Sequence, residues 1–170
     1  MIESVLVLTG SMGTGKTTTL AEASDLLTAR NIRHAAIDLD ALGLAHVGTD
    51  NDLMLQNLAS VCANVEASGI TRLLIAAAVE SRDELARLQR ATNARAIAVC
   101  RLRAPVAVME QRVAARERGI LATQYVERVR VLEDILDAAG LEDFNVSSDT
   151  PVTVVATNVL LRAGWIERVG

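Results

Sequence analysis

The chain alternates between short apolar runs and longer amphipathic stretches, and this alternation predicts its elements. Ser4–Leu8 is apolar after its first residue, as expected of a strand buried on both faces. Lys16–Ala29 puts Leu20, Ala23, Leu26 and Leu27 on one helical face. A second apolar run, His34–Leu39, is followed by Asn51–Ala67, where Met54, Leu58, Val61, Cys62 and Val65 recur at helical spacing. Arg72–Val79, RLLIAAAV, predicts a third strand. Ser81 opens S-R-D-E, a capping box in which Ser81 and Glu84 satisfy the first free amides of a helix. Ala94–Cys100 predicts a fourth strand, and Pro105 suits the first turn of a helix running to about Glu117. Gly119 interrupts the pattern. Thr123–Ala138 predicts another helix and Phe144–Val146 a fifth strand. Asp149-Thr150-Pro151 predicts the cap of a last helix ending near Ala163, with Gly164 beyond it.

Continuous apolar strands alternating with amphipathic helices imply an α/β fold: a five-stranded parallel sheet between two helical layers. No linker, repeat or low-complexity segment divides the chain, so residues 1–170 are expected to form one domain. Hydrophobic residues make up 51% but aromatics only 2%, so the core must be built from Leu, Val, Ile and Ala. A net charge of −4 and a pI near 5.2 argue against a nucleic-acid binder, which needs a basic face for phosphates. Few aromatics also means few stacking platforms for single strands. The start of the chain has no positive region, and its apolar run is too short to span a membrane. Cys62 and Cys100 lie far apart in apolar surroundings and are expected as buried free thiols. A cytoplasmic protein with no membrane partner is the expectation; oligomeric state is not readable.

The densest chemistry is at Gly10-Ser11-Met12-Gly13-Thr14-Gly15-Lys16-Thr17, which fits G-x-x-x-x-G-K-[ST] between a predicted strand and a predicted helix. Glycines admit backbone conformations with positive φ and close approach of a ligand. Amides from about Gly13 to Thr18 are then expected to face phosphate oxygens at the positive end of a helix. Lys16 would reach the β- and γ-phosphates, and the Thr17 hydroxyl would ligate Mg²⁺. With Gly13 the motif reads G-x-x-G-x-G-K-T. It resembles the loop of the simple P-loop kinases: nucleoside-monophosphate, shikimate, gluconate and adenylylsulfate kinases. The resemblance covers most of the chain, and it implies the P-loop NTPase fold with ATP and Mg²⁺ as cofactors.

Other segments arrive in the order that this resemblance implies. IDLD places Asp38 and Asp40 on the same side at the end of the second predicted strand, where open parallel sheets bind ligands. The pair is similar to that of shikimate and related kinases, which implies Asp38 as the magnesium partner and Asp40 as the base facing the acceptor; a helix cap or solvated loop is the alternative for Asp40. The third strand ends Ala76-Ala77-Ala78-Val79, without the acid usual in nucleotide-hydrolysing ATPases. Arg112 and Arg116 are one helical turn apart, with Arg118 beyond. The resemblance implies a lid at about 112–124, with Arg112 at the adenine or its phosphates and Arg116 or Arg118 stabilising the transferring phosphoryl group. A solvated face offset by Glu110 and Glu117 is the alternative. Ser148, Asp149 and Thr150 fall where these kinases contact adenine, although plain helix capping also accounts for them.

The acceptor side carries less signal. His46, in LGLAHVGTDND, and Glu80, Ser81 and Arg82, after the third strand, are the candidates. Arg82 would suit an anionic substrate, or would pair with Asp83 or Glu84. IDLDALG and ESR look closest to the adenylylsulfate-kinase-like group. Few aromatics disfavour a stacked nucleobase acceptor. The expectation is a kinase moving the γ-phosphate of ATP to a hydroxyl of a small molecule, with antibiotics or other natural products as less favoured acceptors. A regulatory protein that binds nucleotide without transferring phosphate is the alternative. No guanine-recognition signature of the Asn/Thr-Lys-x-Asp type is present.

Overall fold

The computed structural model describes the chain except residues 46, 47, 50, 117–121 and 168–170. His46, Arg118 and the middle of the expected lid therefore lie outside the described residues. The element order is β1 (Ser4–Thr9), α1 (Lys16–Ala29), β2 (Ala35–Asp38), a 3₁₀ turn (Leu39–Leu42), β3 (Leu44–Ala45), β4 (Gly48–Thr49), α2 (Asn51–Ala67), β5 (Arg72–Ala76), α3 (Arg82–Thr92), β6 (Ala96–Arg103), α4 (Val106–Arg116), α5 (Ala122–Ala139), β7 (Phe144–Ser147) and α6 (Val152–Arg162).

β2, β5, β1, β6 and β7 form the main sheet in that order, and every neighbouring pair is parallel. The short β3–β4 antiparallel pair was not expected. Two-residue strands are too short to leave a periodic signal.

Strand alternation sorts the core into two layers. Leu6 and Leu8 of β1 join Leu74, Cys100 and Leu102 on one face, covered by Leu20, Ala23 and Leu27 of α1 and Val155, Ala156 and Val159 of α6. Val5 and Val7 join Leu73, Ile75 and Val99 on the other face, covered by Leu58 and Cys62 of α2 and Leu88 of α3. Each such buried Leu, Ile or Val side chain contributes roughly 1.5–3 kcal/mol. A smaller cluster, Met109, Val113 and Val129, joins α4 to α5. Trp165, after α6, packs into the α1/α6 layer, and its indole N–H donates to Ser4 Oγ at 3.2 Å. Both cysteines are buried free thiols, and burial pushes Cys62 to about 11 and Cys100 to about 12.

The fourth strand runs three residues past its expected end at Cys100. Arg101 would normally mark a strand leaving the core, but here it is almost completely buried. Its guanidinium meets Glu133 at 2.7 Å and Asp137 at 2.9 Å, both on α5, with Glu142 at 3.6 Å. A buried charge is tolerated when it is paired, and this network ties α5 to the end of β6. A second correction concerns α6. Its N-cap is Pro151, with no side-chain cap bond, so Asp149 and Thr150 do not cap it. The chain is already turning through those residues, and the Pro151 carbonyl accepts from Val154 and Val155.

Candidate functional site

The site forms where β1 ends, at the carboxyl edge of a sheet whose central strand is flanked by β5 and β6. α1 starts directly after the loop. Its N-cap, Gly15, has φ 84° and no side-chain bond, and its first turn has no acid. Its first amides are therefore left to an external anion. Gly13 has φ 79°, and a Cβ there would lie 2.5 Å from the Met109 carbonyl oxygen. The glycine that marks the kinase-like spacing thus lets α4 seat its backbone against the loop.

Side chains brace the loop from behind. Ser11 Oγ donates to the Val129 carbonyl of α5 at 2.8 Å, and Thr14 Oγ1 donates to Ser11 O at 2.8 Å. Lys16 Nζ donates to the carbonyls of Gly10 and Ser11 at 3.0 and 3.2 Å. Burial holds the Lys16 ammonium below its ordinary pKa, against the opposing pull of Asp40 and Asp38. Thr17 Oγ1 donates to Asp38 Oδ2 at 2.7 Å, which joins the two expected magnesium partners directly. Asp40, on the 3₁₀ turn, reaches solvent, yet desolvation lifts its pKa above 3.8; Lys16 lowers it and Asp38 adds to the rise.

These groups share one cavity of about 380 Å³, lined by Met12, Gly13, Gly15, Lys16, Thr17, Thr18, Asp38, Asp40, Arg112 and Arg116. A neighbouring cavity of about 270 Å³ lies between the loop and α6, with Thr14, Thr18, Arg112, Ser148, Thr150 and Val152 in its wall. Arg112 spans the two: it donates to Gly13 O at 3.2 Å and to Ser148 O at 3.1 Å. Ser148 and Thr150 line the second cavity; Asp149 is exposed beside it and does not.

A third cavity of about 160 Å³ opens on the other side of Asp40. Asp40, Asn51, Met54, Ala78, Glu80, Glu84 and Arg87 contribute to its wall. Of the expected acceptor residues, Glu80 lines it. Ser81 is occupied as the α3 cap, accepting from the Glu84 amide at 3.2 Å, and exposed Arg82 is not in the wall. Glu84 completes the capping box one residue early, accepting from the Glu80 amide at 2.7 Å rather than from that of Ser81. The backbone after β5 is pinned to β1, because Thr9 Oγ1 accepts from the Val79 amide at 3.1 Å. Asn51, Met54, Glu84 and Arg87 had no site signal in the sequence. They sit on helix faces at ordinary amphipathic spacing, and only the packing of α2 against α3 aims them at one space.

No family model matches the chain, and a search of curated protein sequences finds no match. Solved structures do resemble it. A gluconokinase from Sinorhizobium meliloti aligns over 96% of this chain and 92% of its own, with a TM-score of 0.63 at 16% identity. The shikimate kinase of Acinetobacter baumannii, solved with shikimate, aligns over 96% and 93%, at 0.63 and 18%. The tunicamycin resistance protein of Deinococcus radiodurans aligns over 96% and 97%, at 0.65 and 14%. At these identities the likeness concerns the fold: the chain has the α/β architecture of the P-loop small-molecule kinases.

Proposed function

We propose that the chain is an ATP- and magnesium-dependent kinase that phosphorylates a hydroxyl of a small molecule. The observation that carries this reading is the position of Asp40. It lies in the wall of both the cleft holding Lys16, Thr17 and Asp38 and the separate cavity beyond it. A carboxylate between a phosphate cradle and a second compartment supports a reading in which a group passes from one ligand to another.

Each residue then has a role. Amides of the loop and of the first turn of α1 hold phosphate oxygens, with Gly10–Thr18 as the binding segment. Lys16 neutralises charge on the β- and γ-phosphates. The Thr17 hydroxyl and Asp38 carboxylate, 2.7 Å apart, are a hard-oxygen pair of the kind magnesium takes, usually alongside several waters. Magnesium supplies positive charge to the phosphate oxygens. Asp40 accepts the proton of the attacking hydroxyl as its oxygen bonds to the γ-phosphorus and the bridging oxygen leaves with ADP. The raised pKa of Asp40 brings it closer to working pH, which suits a base. Arg112 orders the nucleotide side, and Arg116, in the cleft wall, stabilises charge on the group in flight. Thr150 and the Ser148 backbone border the base, with Asp149 outside that wall. Adenylylsulfate remains one acceptor within this reading, as does a sugar acid or a natural product.

The test is ADP release by wild type, Lys16→Ala and Asp40→Asn across a panel of hydroxyl compounds. Acceptor-dependent turnover is expected in wild type and its loss in both variants. Turnover retained in both would remove the mechanism.

A further inference from the structure

The cavity beyond Asp40 has a definite charge character. Its wall holds three carboxylates, Asp40, Glu80 and Glu84, against one guanidinium, Arg87, a formal balance of −2. The neighbours just outside do not change this. Arg128 reaches Glu80 at 3.4 Å, while Arg87 is already engaged by Asp52, so these outer charges cancel. Lys16 is on the phosphate side and bonds to loop carbonyls. The rest of the wall is largely aliphatic: Leu39, Met54, Leu55, Val79 and Leu88. Arg82, which would have suited an anion, is not in the wall.

We infer that this cavity selects an amine-bearing hydroxyl compound with an apolar body, and discriminates against carboxylate, phosphate or sulfate acceptors. The inference rests on the acceptor reading of the cavity given above. An anion entering would face Glu80 and Glu84 with no uncommitted guanidinium in the described wall. An ammonium group would meet Glu80, whose contact with Arg128 is long, and Glu84, whose Oε2 is held by a backbone amide. The aliphatic wall would cover a ring or short chain while the hydroxyl lies at Asp40. Asn51 adds a neutral amide for a further hydroxyl. Of the acceptors left open under the kinase reading, sugar acids and sulfonucleotides therefore fit this lining poorly, and an amine-bearing natural product fits it best.

The experiment uses three probes on one scaffold: aminocyclohexanol, cyclohexanediol and hydroxycyclohexanecarboxylate, each as the para-substituted trans isomer. Binding to the full chain, loaded with magnesium and a non-hydrolysable ATP analogue, is followed by ligand-observed NMR titration at low ionic strength. Phosphoryl transfer from ATP to each probe is measured separately. The amine is expected to bind about tenfold or more tighter than the carboxylate, with the diol between. Glu80→Gln should shrink that ratio severalfold, and Glu80→Lys should invert it. Equal binding of amine and carboxylate, tighter binding of the carboxylate, or no binding of any probe would overturn the inference. The expected order, with no acceptor-dependent turnover on the probes or on the wider panel of hydroxyl compounds, would uphold the cavity's preference while removing the kinase reading.

Discussion

The two sides of Asp40 are built in opposite ways. The side proposed for the nucleotide is made mostly of backbone: glycines with positive φ, free amides at the start of α1, and carbonyls that park Lys16. The side proposed for the acceptor is made of side chains drawn from the 3₁₀ turn, α2, the end of β5 and α3. A phosphate offers the same oxygens whatever it is attached to, so a fixed backbone cradle serves it. An acceptor differs from one enzyme to the next, and side chains on separate elements can change without disturbing the cradle. Chemistry common to many proteins is thus held by the main chain, and chemistry particular to this one by interchangeable groups.

The sharpest way to break this contrast is to remove the charges at the junction. Lys16→Ala should lower turnover by about 10²–10³-fold, and Asp40→Asn by roughly 10²–10⁴-fold. Lys16→Ala should also weaken nucleotide binding measured by calorimetry, whereas Asp40→Asn should leave it near wild type. A pH profile sharpens the same point. Asp40 must be ionised to act as a base, so kcat/KM should fall as pH drops through a value above the ordinary 3.8. In the kcat profile, which reports the ligand-bound enzyme, bound phosphates would push that limb higher still, and Asp40→Asn should abolish it in both profiles.

The next effect is on stability. Arg101→Met removes the buried guanidinium from Glu133 and Asp137 but leaves Arg103 paired with both, at 3.4 and 2.8 Å, so it should cost about 1–3 kcal/mol in chemical denaturation. Because α5 supplies the carbonyl that holds Ser11, nucleotide affinity should fall alongside. Unchanged affinity would mean that the cradle does not depend on α5.

A smaller effect separates two glycines of the loop. Gly13→Ala meets the Met109 backbone as well as an unfavourable φ, and should lose roughly 1–3 kcal/mol of stability together with nucleotide affinity. Gly15→Ala meets nothing within 4 Å and carries the φ penalty alone, about 1 kcal/mol. Equal losses would show that the seating of α4 is immaterial. Least of all, Ser81→Ala removes the α3 cap at the mouth of the acceptor cavity. About 1 kcal/mol of stability should go, with KM for the acceptor moving more than that for nucleotide.

The same contrast explains what the sequence made legible. Local patterns were read well: Lys16–Ala29 and Asn51–Ala67 are helices with the expected ends, and the glycine-rich loop lies between β1 and α1. Such features depend on residues adjacent in the chain. Arg101 misled because its charge is balanced by residues more than thirty positions away, which periodicity cannot register. The acceptor wall went largely unread for the same reason. Glu84 looks like the second half of a capping box and does bond a backbone amide just before α3, and nothing in the sequence shows that this residue also borders a cavity with Asn51 and Asp40. The order β2-β5-β1-β6-β7 likewise follows from sheet assembly rather than from any segment's composition.

The chain has one tryptophan, Trp165, docked on Ser4 at the start of β1, whereas the cleft opens past the end of that strand. Six strand residues separate the two by about 20 Å. Its fluorescence therefore reports on the far edge of the sheet and stays silent about ligands. Emission should hold steady through a nucleotide titration and shift to the red only when the core opens to water. Any variant of the cleft can accordingly be checked for folding by an optical signal that its own chemistry does not touch.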